Sequence, residues 1–303
     1  MPRRRYATWG TYVDAKRLGA ETEGTGMTSS RFGGMLAFAI AYFAFLSPAL
    51  AQFNTPDQEP AAWNINQKPA VWDVNLAAGA AMEPTFNGSD RYRVIPIPLV
   101  IIRWRDAVSL GQDGLNVYWH NDDLRMGGGV TYDGGRSDHA TNGILSSGDN
   151  RLMGLGDVDG SVGFRAFTSY KLGPAFLDSS VIKYIGPQNK GVLVNVGASA
   201  PWALTKQLIV RPHIGMTWAD DNYMRTFFGV SPIQASRSIF PQFNAAAGVE
   251  DINGGLTIGY LLTSHWFLGA DASAKRYLDN AAKSPVTISN TNTTVAAVIG
   301  YHF

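Results

Sequence analysis

From Trp72 to the C-terminus the chain repeatedly alternates apolar and polar positions with a period of two. Side chains of an extended strand point to opposite faces in turn, so this pattern predicts strands with one greasy and one polar face. Residues 72–82 put Val74, Leu76, Ala78 and Ala80 on one face and Asp73, Asn75, Ala77 and Gly79 on the other. In residues 161–171, Val162, Phe164, Ala166, Thr168 and Tyr170 oppose Ser161, Arg165, Ser169 and Lys171, with Phe167 among the latter. Val192, Val194, Val196 and Ala198 oppose Asn195, Gly197 and Ser199; Leu208, Val210, Ile214, Met216 and Trp218 oppose Arg211, His213 and Thr217. A long run from Phe243 to Leu262 shows Leu256, Ile258, Tyr260 and Leu262 on its clear face. In the next run Trp266, Leu268, Ala270 and Ala272 oppose Asp271, Ser273 and Lys275. Residues 92–104 are apolar on both faces and carry Pro96 and Pro98, which predicts a bulge or poor pairing there. No segment after Trp72 shows a convincing helical period.

The final run, Thr293 to Phe303, places Val295, Ala297, Ile299, Tyr301 and Phe303 on one face. A bare apolar edge ending in two aromatics is an aggregation hazard in water. It suits a strand whose outer face meets lipid and whose aromatics sit at the interface. It resembles the C-terminal signature by which bacterial outer-membrane barrels meet the barrel-assembly machinery. About twelve strands are expected, within ten to fourteen, as an all-β, up-and-down antiparallel transmembrane barrel. An even count puts both termini on one side, the periplasmic one. Short turns near Gly173, Ala203 and Ser264 then share that side, and the long polar connections 133–160, 219–242 and 279–292 share the other. A soluble β-sandwich also alternates, but typical strands there are about five or six residues, against ten or more here.

Ahead of the barrel, Met35 to Leu46 is a continuous apolar run, too short to span a bilayer as a helix. Arg31 precedes it and Ala49-Leu50-Ala51 follows, the layout of a secretory signal cut after Ala51. The polar stretch 1–26 is long for such a signal, and Met27 is the expected translation start. Residues 52–71 are rich in Pro, Gln and Asn without periodicity and read as a flexible periplasmic lead-in to a barrel over 72–303.

Composition sharpens this only in places. The net charge of +1 gives no field that would recruit nucleic acid. Absence of cysteine excludes disulfides and thiolate metal sites. A mean hydropathy of -0.07 looks soluble, yet barrels average lumen against lipid-facing residues.

Candidate chemistry is sparse. In the block Trp218-Ala219-Asp220-Asp221-Asn222-Tyr223, two adjacent carboxylates on a strand would point to opposite faces, which argues against a general acid/base pair. A structural ion pair or turn is the expectation, with Arg136 as a partner for Asp220 or Asp221 at the same rim. The stretch Gly154 to Gly160 resembles a dinucleotide or calcium loop, but lacks the third glycine's placement and the distal glutamate. The five histidines show no metal-ligand spacing, and neither cofactor nor metal is expected. Ser199 and His213 lie on adjacent strands facing inward, as a catalytic pair would, yet such neighbours are common in a polar lumen. The expected lumen set is Asp73, Asn75, Arg165, Lys171, Asn195, Arg211, His213, Asp271 and Lys275.

Several separated blocks, in order, resemble the MipA/OmpV family of outer-membrane proteins. They are Trp218 to Val230, Gly134 to Arg136, Gly154 to Asp159, Ala247 to Asp251 and Tyr277 to Pro285. The resemblance implies a barrel in the outer membrane of a Gram-negative bacterium, embedded in lipid. It also implies a scaffold that meets a lytic transglycosylase and penicillin-binding proteins in the periplasm. It supplies no catalytic residues, and the chain is expected not to be an enzyme. A narrow channel with little ion selectivity, or an adhesin working through its long external loops, are the alternatives.

Overall fold

In the computed structural model, residues 71–140, 147–186 and 190–303 are described. The export signal, the lead-in up to residue 70 and the turn at 187–189 fall outside them. The strands are β1 (Trp72–Pro84), β2 (Tyr92–Trp104), β3 (Val108–Gly111), β4 (Gly114–His120), β5 (Leu124–Asp133), β6 (Arg136–Ser137), β7 (Ser147–Gly148), β8 (Ser161–Leu172), β9 (Ala175–Ile185), β10 (Gly191–Ser199), β11 (Trp202–Ala203), β12 (Leu208–Ala219), β13 (Gly248–Leu261), β14 (Trp266–Tyr277) and β15 (Thr291–His302). The short β6, β7 and β11 aside, each strand pairs antiparallel with the next barrel strand in the chain, and β1 pairs with β15 from Asn75↔His302 to Met82↔Val295. Twelve strands therefore close into a barrel with no free lateral edge at the seam between first and last.

The faces follow the alternation in the sequence. Val94, Val117, Phe164, Val181, Ile214 and Ile299 point outward and are exposed, while Asn75, Asn116, Arg165, Ser180 and Asp271 point inward and are buried. Apolar outside and polar inside inverts a water-soluble protein, and it is what a lipid-embedded wall requires. Exposed Trp72, Trp104, Trp119, Tyr170, Trp202 and Trp266 ring one end; Tyr92, Phe164 and Trp218 stand near the other. At the closing seam Tyr301 stacks on His265 with 5.5 Å between centroids and meets Trp266 and Phe303 edge-on at 5.2 and 4.8 Å. Amphipathic rings belong at such interfaces, where one side is apolar and the other wet.

The turns at the end carrying both barrel termini are short, and three of them share a device. Asn121 Oδ1 accepts the N–H groups of Asp123 and Leu124, Thr205 Oγ1 those of Gln207 and Leu208, and Thr263 Oγ1 those of His265 and Trp266. Side-chain oxygens of this kind mimic a backbone turn. The opposite end carries the long connections that follow β5, β12 and β14.

Three expectations need correction. Strand β2 is not bulged: Pro96 and Pro98 face Ala80 and Ala78 with no slip in register. Their missing N–H groups lie on the edge away from β1, and β3 reaches only Ile102–Trp104 on that edge, so no ladder bond is lost. Strand β13 starts at Gly248, not at Phe243, because residues 243–247 pack elsewhere. Among the described residues helices do occur, all in the long connections: α1 (Asp221–Phe228), α2 (Pro232–Arg237) and α3 (Asp279–Lys283). Among the described residues no helix is long and apolar enough to cross a membrane.

Candidate functional site

The long-loop mouth is filled by protein. Helix α1 is eight residues long and buries Tyr223, Met224, Phe227 and Phe228, a stripe at i, i+1, i+4 and i+5. These side chains form one core with Val158 from the β5–β8 connection, Ala245, Tyr277 and Ala281, and with Tyr184 and Leu193 of the barrel wall. A second core joins Phe86, Leu152, Leu155, Val230, Phe240 and Val286. The three long connections and the β1–β2 turn thus pack as one cap, with Met224 and Phe228 wholly buried.

Several polar groups in the cap are matched. Asp220 caps α1, accepting the N–H of Tyr223 at 2.9 Å, and Asp221 accepts the N–H of Ala247 at 2.6 Å. The last carbonyls of α1, which no intrahelical donor can reach, take Arg136 Nη1 on Phe227 O at 2.9 Å and Ser284 Oγ on Phe228 O at 2.6 Å. Burial lowers the Arg136 guanidinium to about 10, opposed by Asp138, which leaves it cationic at neutral pH. Below it, Lys190 Nζ lies 2.5 Å from Asp133 Oδ1 and 5.6 Å from the centre of the Phe227 ring, with both charged side chains almost fully buried.

Beneath the cap, a cavity of about 190 Å³ occupies the lumen. Arg165 Nη1 binds Asp113 Oδ2 at 2.8 Å, and Asn116 donates to the same oxygen. Asn116 can lie across the neighbouring strand because Gly129 stands there; a Cβ at that position would sit 2.2 Å from Asn116 Oδ1. Lys275 Nζ meets Asp251 Oδ2 at 3.3 Å. The β12–β13 register shifts between Thr217 and Trp218, and that bulge leaves Glu250 and Asp251 both buried.

The predicted site residues sort cleanly. Asp73, Asn75, Arg165, Asn195, Arg211, His213, Asp271 and Lys275 lie on the inward faces of their strands. Lys171 shares that parity but is exposed at the short-turn rim, outside the closed lumen. Arg136 does not pair with Asp220 or Asp221; it reaches the far end of the same helix. Trp218 is an exposed outer residue, whereas Tyr223 is cap core. Ser199 and His213 are direct neighbours across β10 and β12. The imidazole, however, extends over Gly255 on the opposite side, where a Cβ would lie 2.8 Å from its Cε1 and Nε2. It thus points away from Ser199, which is not the geometry of a base drawing a proton from that hydroxyl. Sequence reasoning missed Glu250, Asp133 and Lys190, because their meeting depends on a bulge and on pairing between distant strands.

Among the described residues, one group with metal-ligand chemistry comes together on the outer rim: Asp138, His139 and Asp157. Its oxygens already serve the loop. Asp138 Oδ2 accepts the N–H groups of Gly154 and Gly156, Asp138 also pairs with His139, and Asp157 Oδ1 accepts Ser137 Oγ and the Asp138 N–H. Those donors, the backbone N–H first, hold the Asp157 carboxyl below its usual range.

A closed antiparallel barrel, apolar outside between aromatic belts and polar within, defines a transmembrane β-barrel of the outer-membrane type. Residues 76–303 match the family described as "MltA-interacting protein MipA", and the chain belongs to that family, proteins of the Gram-negative outer membrane. No curated protein matches the chain. Among solved structures it is similar to OmpT, an outer membrane protein of Vibrio cholerae, with 8% identity, 78% of this chain and 99% of that one covered, and a TM-score of 0.35. It is also similar to the COG4313 outer membrane channel from Pseudomonas putida F1, with 12% identity, coverage of 81% and 99%, and a TM-score of 0.34. A third is Salmonella typhi OmpF in complex with daunomycin, with 9% identity, coverage of 77% and 97%, and a TM-score of 0.35.

Proposed function

We propose that this barrel is a non-enzymatic, non-conducting scaffold in the outer membrane. Its short-turn end faces the periplasm and docks peptidoglycan-remodelling enzymes there. The observation that carries this reading is the cap: packed Met224, Phe227 and Phe228 fill the long-loop mouth, which argues against a through-channel and for a role played at the short-turn end. The family description supports the partner class, since it names interaction with MltA, a lytic transglycosylase. A periplasmic short-turn end would turn the exposed Trp202 and Leu204 of the β10–β12 connection toward the periplasm, the compartment of the lead-in 52–71 that cleavage after Ala51 would release. In the same reading the outward Tyr301 and Phe303 present the last strand to the barrel-assembly machinery.

Capture on this protein from cross-linked, detergent-solubilised envelopes is expected to recover an MltA-type transglycosylase with a penicillin-binding protein. Exchanging residues 200–207 for a plain Gly-Ser turn is expected to lower that recovery while leaving the barrel folded. Recovery of neither enzyme by the unmodified protein would rule the scaffold out.

A further inference from the structure

We infer that the capped lumen is a binding site for a small organic cation of the alkylammonium type, centred on Glu250. The charged lining of the cavity consists of four carboxylates, Asp113, Asp133, Asp178 and Glu250, against two permanent cations, Arg165 and Lys275. Arg165 is engaged by Asp113 at 2.8 Å, while Lys275 meets Asp251 at 3.3 Å and is also the cation whose charge acts on Glu250. Asp133 is matched by Lys190 at 2.5 Å. Glu250 differs from these: it is 1% exposed, lines the cavity, and its Oε1 has no hydrogen-bond partner.

Glu250 and Asp251, both buried, share the single cation Lys275, and carboxylates taken out of water are costly unless each is matched by a counter-charge. The bulge in β12–β13 turns Glu250 inward where regular pairing would not. Tyr184 and Tyr223, both buried, line the same cavity and give a cation aromatic faces. A volume of about 190 Å³ falls below the ~300–1,000 Å³ of drug-sized pockets, which limits the ligand to a few heavy atoms. An alkylammonium ion fits this chemistry, with its N–H donors on Glu250 and its short chain against the rings. An inorganic cation would want more oxygen ligands than Glu250 offers.

The site does not rest on the scaffold reading, since a barrel that captures no transglycosylase can still bind an amine. The test is ligand-observed NMR on the purified, detergent-solubilised barrel, with n-butylammonium as probe and n-butanol as its neutral counterpart, each raised into the millimolar range. The expected result is saturable binding of butylammonium and none of butanol. Glu250→Gln should weaken binding by roughly tenfold to a hundredfold, the range for a lost charge-assisted hydrogen bond. Heat-modifiable gel mobility confirms that the variant is folded; if it is not, the wild-type comparison of amine with alcohol decides alone. Equal binding of the two probes, no binding of either, or unchanged affinity in a folded Glu250→Gln barrel overturns the inference.

Discussion

Replacing residues 221–244 by a flexible Gly-Ser linker is expected to convert a silent barrel into a conducting one. That segment holds α1 and α2, and with them Tyr223, Met224, Phe227 and Phe228, the side chains that fill the mouth. The wall itself is independent of the cap: β12 pairs with β10 from Leu193↔Ala219 to Ser199↔His213, and with β13 over almost its whole length. Barrels of this size fall between eight-stranded ones filled by side chains and wide sixteen-stranded porins, so an uncapped lumen is expected to pass small ions. In planar bilayers the parent should give no discrete steps and the shortened protein clear ones. A parent that already conducts with the same steps would remove the cap from the account, and with it the main support for a scaffold over a channel.

The second large effect lies in the ion pair below the cap. Lys190→Ala leaves Asp133 charged and buried without its counter-charge, held only by the Gly135 N–H, and losing one partner of such a pair costs about 3–5 kcal/mol. The joint replacement Asp133→Leu with Lys190→Met removes both charges at similar volume and is expected to recover most of that loss. The midpoint of urea unfolding in detergent micelles, read by tryptophan fluorescence, separates the two outcomes. A single variant as stable as the parent would mean that water reaches the pair and that the cap is looser than its packing indicates.

What the sequence disclosed, and what it hid, has a physical logic. Lipid on one side and a polar lumen on the other force period-two alternation on every spanning strand, so β1, β8, β10, β12, β14 and β15 are readable residue by residue. Folding inside the mouth follows a different rule. Helix α1 buries four of its eight residues in contacts with distant segments, and such a short helix has no long periodic run to betray it. Its signal was present nonetheless: Asp220 is a favoured N-cap residue, Asp221 stands in the first turn, and the apolar positions that follow keep helical spacing. The overshoot at Phe243 has the same origin, because residues that pack into a cap are as apolar as those of a wall. Pro96 and Pro98 show the converse. Their effect depends on which edge is paired, and that is fixed by the short β3–β4 hairpin rather than by anything local. Glu250, Asp133 and Lys190 belong to β13, β5 and the segment before β10, and only closure brings them near one cavity.

Closure is therefore the claim on which cap, lumen and surface all depend, and a cysteine-free chain offers a clean way to measure it. Ala81 and Ala296 face each other across the seam between first and last barrel strands, in a buried, inward-facing pair. Facing positions of this kind bring Cα atoms to about 4.5–5.5 Å, within reach of a disulfide. The double variant Ala81→Cys, Ala296→Cys should oxidise to an intramolecular crosslink in isolated outer membranes, with neither single variant doing so. Free thiols at both positions after oxidation, in protein that has reached the membrane, would show that the first and last strands do not meet.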